Sequence, residues 1–128
     1  MPFAGKRADA VRIIVMGTAR QVYAEMGWGW SEAVYREALA RDLRALGLHV
    51  ATEVAMPVIY KGEPLSNVSV RWDMVVAHCV LIELKAVRNM GASALRQCQR
   101  YAAVAVDPYR CAAINFPDRP AADLQWLT

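Results

Sequence analysis

Residues 71–87, RWDMVVAHCVLIELKAV, hold the reading on which the rest of the chain depends. Two apolar, β-branched runs, the second of them CVLIELKAV, separated by Ala77 and His78, read as the paired strands of a hairpin. Asp73 stands near the start of the first run, and Glu83 and Lys85 interrupt the second. Successive side chains of a strand point to opposite faces, so Glu83 and Lys85 share one face while Ile82, Leu84 and Ala86 take the other. An ion taken out of water costs several kcal/mol unless it is paired, hydrogen-bonded or bound to a metal, so two charges inside VLIELKAV need a reason. On its own the Glu-x-Lys tripeptide reads more simply as a solvated same-face pair on an edge strand, contributing about 0.2–1 kcal/mol. The surrounding chain shifts that balance toward chemistry.

Upstream of the hairpin, HVATEVAMPVIYKG is a further strand, with Pro57 marking an edge or a local irregularity. A polar turn is expected around Glu63 to Asn67 before VSVRWDMVV begins. Further back lie two amphipathic helices. The first, from about Asp9 to Met26, places Val11, Ile14, Val15, Ala19, Val22 and Tyr23 at helical spacing and stops at Gly27. The second follows the GWGWS segment, with Ser31 or its neighbour as cap, and its apolar face carries Val34, Tyr35, Ala38, Leu39, Leu43 and Leu46 before Gly47 ends it. Downstream, GASALRQCQRYAAVAV returns to helical spacing and ends near Asp107 and Pro108, RCAAINF is a last short strand, and the tail from about residue 117 is irregular. The expected order is ααβββαβ. A helical crossover between the last two strands makes their pairing parallel, in a mixed sheet of about four strands flanked by helices.

The 128 residues fit a single α/β domain with a real core. No apolar run approaches the ~20 residues of a membrane span, and the basic start MPFAGKRADAVRIIVMG is broken by Asp9 and Arg12, which does not suit a signal peptide. Cys79, Cys98 and Cys111 are odd in number and far apart, and with only His49 and His78 beside them they support neither a disulfide framework nor a zinc site. Cytoplasm is the expected compartment. The net charge of +3 comes from twelve arginines and three lysines spread along the chain, which is compatible with an anionic partner without being a nucleic-acid signature.

Gly29-Trp30-Ser31-Glu32-Ala33-Val34-Tyr35 matches Gly-x-x-Glu-x-x-Tyr. With Tyr60-Lys61-Gly62, Asp73, the IELKAV strand, Gln97, Tyr101 and Ile114 to Phe116, it makes the chain resemble the GxxExxY proteins, grouped with the PD-(D/E)XK nuclease-like superfamily. The resemblance implies a restriction-endonuclease-like core. It further implies that Asp73, Glu83 and the Leu84 carbonyl are ligands of Mg²⁺ or Mn²⁺, with Glu32 as a further ligand or a base holding water. Lys85 would orient water or offset charge on the phosphate, Gln97 would position water or phosphate, and nucleic-acid phosphodiesters would be hydrolysed.

Each residue also has a plainer reading. Glu32 suits the first turn of a helix, where the dipole favours an acid by about 0.3–1 kcal/mol. Tyr35 and Tyr101 fit apolar helical faces as core or site-lining groups, Gln97 fits a solvated polar face, and the histidines meet no spacing requirement. No base-reading module is visible. A second class of function is therefore kept, a non-catalytic homo-oligomeric assembly or binding protein on the same fold, suggested by Trp28 and Trp30 and by the 56% hydrophobic composition. A nucleotide module ranks last, since no phosphate-cradling glycine loop is present. Alanine at Asp73 or Lys85 is expected to abolish hydrolysis and spare the fold, whereas Leu84→Ala is expected to cost about 2–5 kcal/mol.

Overall fold

In the computed structural model, which describes residues 2–103 and 110–128, the hairpin forms as its pattern predicts. Along the chain, α1 (Pro2–Met26) and α2 (Glu32–Ala45) precede β1 (Val50–Tyr60), β2 (Glu63–Val76) and β3 (Val80–Lys85). Then come α3 (Ala92–Ala103), β4 (Arg110–Asn115) and β5 (Gln125–Leu127). The strands lie side by side in their chain order, β1 to β5. β3 and β4 run parallel, as the helical crossover requires, and the other neighbours are antiparallel.

The sheet separates two apolar layers. On one side Met74, Val76, Val80, Ile82, Leu84, Ala112, Ile114 and Phe116 pack against Val11, Val15, Ala19 and Val22 of α1 and Tyr35, Leu39 and Leu43 of α2. On the other, Trp72, Val75 and Leu81 pack against Cys98 of α3, with Val54, Met56, Ala102 and Cys111 at the margin. The period-two reading of β3 holds, since Ile82 and Leu84 are fully buried under α1 and α2 while Leu81 faces α3.

In β1 and β2 the alternation breaks. Val50 faces the α1–α2 layer but Val54 and Met56 face α3, and Trp72 faces α3 while Met74 and Val76 do not. Both strands change sides between these residues, at Glu53 and Asp73. Glu53 has φ +53°, a left-handed backbone that rolls the strand over without adding a residue, because the pairs Thr52–Met74 and Val54–Trp72 keep one register. Asp73 thus lies where the ribbon rotates and where β2, paired to β3 only from Met74 to Val76, parts from it.

Four expectations need adjustment. The turn between β1 and β2 is Lys61–Gly62, both at positive φ, with Tyr60 opposite Glu63; Glu63 to Asn67 are strand, because a glycine there makes a two-residue turn sufficient. Helix α1 begins at Pro2 and not near Asp9, a proline being tolerated in a first turn. Ser31 occupies the cap position of α2 in extended conformation but makes no side-chain capping bond. The tail supplies a fifth strand, β5, too short for periodicity to show, and Asn115 holds it by donating to the Gln125 side chain at 2.7 Å. Pro57 does lie on an edge strand and beside a register shift, as expected. The helix end near Asp107 and Pro108 and the side chain of Tyr101 lie outside the described residues.

Candidate functional site

The segment before α2 aims its first turn at the sheet. Gly27 and Gly29, at φ +75° and +96°, reverse the chain after α1. The fully buried Tyr35 then pins the reversal, its hydroxyl donating to the Gly27 carbonyl at 2.6 Å and its ring stacked on Phe116 at 4.3 Å. Phe116 in turn donates its backbone N–H to the Lys85 carbonyl at 2.9 Å, and Tyr23 completes the aromatic cluster. Glu32, one helical turn before Tyr35, is therefore fixed relative to the end of β3.

There it meets the hairpin's charges. One oxygen each of Glu32, Asp73 and Glu83 lie within 4.8 Å of one another. Asp73 is held from below, because its Oδ2 accepts the Leu84 N–H at 2.7 Å and so takes a bond that the diverging ladder no longer supplies. The Leu84 carbonyl remains as a main-chain oxygen between Glu83 and Lys85. Lys85 Nζ lies 3.3 Å from Glu83 Oε1.

Crowding of like charge shows in the proton affinities. Burial and then the charge of Asp73 push the Glu83 carboxyl up to about 7, against the opposing pull of Lys85. Glu32 is raised by the same two causes in the same order. Three half-buried carboxylates sharing so small a volume repel one another unless a proton or a cation lies among them, and hard oxygen donors suit a divalent ion such as Mg²⁺ or Mn²⁺. The donor set fits such an ion.

Sequence reasoning missed two neighbours of this cluster. Arg36 places its guanidinium 3.9 Å from Asp73 Oδ1 and 3.5 Å from Glu53 Oε1, and Arg71 reaches Glu53 at 3.1 Å. Arg36 follows Glu32 at i+4, so the shared helix face was available as a signal. Glu53 offered none, since its place depends on an unusual backbone angle. Gln97 is exposed on α3. His49 and His78 stack on each other at 4.0 Å, at the opposite end of β3.

A family model described as the PD-(D/E)XK nuclease superfamily matches residues 9–126. The chain belongs to the PD-(D/E)XK nuclease superfamily. Neither the curated proteins nor the solved structures give a significant match. Among the described residues, no helix of this superfamily member is long and apolar enough to cross a membrane.

Proposed function

We propose that this PD-(D/E)XK chain, of the GxxExxY type, is a metal-dependent nuclease that hydrolyses nucleic-acid phosphodiesters. The reading is carried by the convergence of Glu32, Asp73 and Glu83 within 4.8 Å, beside Lys85. Asp73, Glu83 and the Leu84 carbonyl would hold Mg²⁺ or Mn²⁺, with Glu32 as a further ligand or as the group that holds water. Such an ion, when bound, polarises phosphoryl oxygens and acidifies coordinated water. The side chains supply the rest. Lys85 offsets the charge that develops on the phosphoryl oxygens and steers water toward phosphorus. Glu32, its proton affinity raised by burial and then by the charge of Asp73, accepts a proton from that water. Arg36, 3.9 Å from Asp73 Oδ1, sets a positive charge against the crowded carboxylates. Gln97 on α3 positions water or phosphate.

The test is calorimetric titration of Mg²⁺ and Mn²⁺ into metal-free protein, with Asp73→Asn and Glu83→Gln as paired variants, followed by cleavage assays on single- and double-stranded DNA and RNA. Binding that both variants lose, with cleavage that Lys85→Ala loses while still binding metal, is the expected result. Absence of both metal affinity and cleavage of all four substrates would overturn the proposal.

A second reading, a homo-oligomeric assembly protein, is favoured by Trp28 and Trp30, which remain 51% and 49% exposed on the turn between the first two helices. It predicts a concentration-dependent mass in sedimentation equilibrium that Trp28→Ser and Trp30→Ser together abolish. A monomer at high concentration would remove it.

A further inference from the structure

On the α3 side of the sheet, two thiols meet that play no part in the site described above. Cys98 is buried at 1% exposure among Trp72, Val75 and Leu81, and Cys111, at the margin of the same cluster, is the second residue of β4. The two sulfurs are hydrogen-bonded to each other, and Cys98 Sγ also lies 3.8 Å from the carbonyl of Ala112, the residue after Cys111. Cys111 opens on an outer cavity of about 390 Å³ that it shares with Arg12, Gln99 and Arg110. One thiol of the pair is thus accessible and the other is enclosed directly behind it, the arrangement of an attacking and a resolving cysteine.

We infer that Cys98 and Cys111 form a peroxide-sensitive dithiol that closes to a disulfide joining α3 to β4. The charge distribution agrees with the order of events. The hydrogen bond from Cys98, and more weakly the charge of Arg12, lower the proton affinity of Cys111, while the same hydrogen bond and burial raise that of Cys98. Cys111, the thiol that opens on the cavity, is therefore the more readily deprotonated of the two and is the nucleophile. Its sulfur attacks one oxygen of hydrogen peroxide, the O–O bond breaks, the sulfur is oxidised to sulfenic acid, and the departing hydroxide takes up the proton that Cys111 gave up, leaving as water. Cys98 then attacks that sulfur. The S–O bond breaks, the S–S bond forms, and the departing hydroxide takes the Cys98 proton as water. The peroxide is reduced to two waters and both thiols are oxidised, so the electrons balance. Cys79, half-buried at the β2–β3 turn, takes no part.

Trypsin separates the two sites cleanly, since cleavage after Arg96 and Arg100 leaves Cys98 in a four-residue peptide and cleavage after Arg110 places Cys111 at the start of another. Reduced full-length protein would be exposed to hydrogen peroxide, blocked with N-ethylmaleimide, digested and mapped by mass spectrometry. The expected product is a peptide pair joined by Cys98 and Cys111 and lighter by two hydrogens, reverting on reduction, with Cys79 alkylated throughout. Cys98→Ser should stop the reaction at a Cys111 sulfenic acid that dimedone traps, and Cys79→Ser should change nothing. Full alkylation of both thiols after exposure, or a bond that engages Cys79, would overturn the inference. The wild-type peptide map decides even if a serine variant folds poorly.

Discussion

At the scale of single residues, the site joins chemistry and structure in the same atoms. Asp73 was expected to be replaceable by alanine without harm to the fold, yet its carboxylate is the partner of the half-buried Leu84 N–H. Asp73→Ala should therefore cost about 1–3 kcal/mol in addition to any loss of activity, while Asp73→Asn keeps an acceptor in place and should cost less. Urea denaturation of the two variants checks this. Glu83 gives the protein a pH dependence of definite sign. Its carboxyl titrates near 7 when folded and near the ordinary 4.5 when unfolded, so between those values the folded state binds more protons. The contribution is present in full below about pH 4.5 and is lost as pH rises through 7, amounting to about 1–2 kcal/mol once partial exposure is allowed for. In metal-free protein the urea midpoint should fall between pH 5 and pH 8, and Glu83→Gln should flatten the change. Saturating Mg²⁺ or Mn²⁺ should restore the midpoint at the upper pH, because the ion replaces the proton.

At the scale of elements, one buried side chain ties three segments together. Asn115, at the end of β4, accepts the Val87 N–H at 2.9 Å and donates to the Val87 carbonyl at 2.9 Å and to Gln125 at 2.7 Å. Gln125 in turn accepts the Met90 N–H at 2.8 Å. The loop after β3, the end of β4 and the short β5 are thus closed by side-chain amides where too few ladder bonds remain. Asn115→Ala should destabilise the protein by about 2–4 kcal/mol, read as a fall in thermal midpoint, because it strips partners from several enclosed groups at once. This clamp also explains which elements the sequence showed. β3 declared itself through an unbroken apolar run with two charges on one face, and α2 through its spacing, because those patterns are local. β5 did not, since three residues carry no period and its strand conformation depends on Asn115 and Gln125. The β1–β2 turn was misplaced because Glu63 to Asn67 look like loop by composition, although Lys61–Gly62 already closes the ribbon.

For the molecule as a whole, Asp73, Glu83 and Lys85 were legible because they lie within one hairpin, and Glu32 because a motif marks it. Their meeting was not legible from spacing. It depends on the rotation of β1 and β2 at Glu53, where a non-glycine residue adopts a positive φ, and no residue type announces that. Phe116 carries a further consequence of the whole arrangement. It is bonded through its backbone to Lys85 and stacked through its ring on Tyr35, so it sets the gap between the helix that bears Glu32 and the strand that bears Glu83. A width fixed by an aromatic ring amounts to a gauge for ionic radius. Mg²⁺ demands near-ideal octahedral spacing, whereas the larger Ca²⁺ accepts loose and variable geometry. Under the proposed metal-dependent function, a Phe116→Leu variant, apolar still but unstacked and so unable to hold the gap at one width, should bind the two ions with affinities shifted toward Ca²⁺ in competition calorimetry, the discrimination between ions being set by a side chain that touches neither.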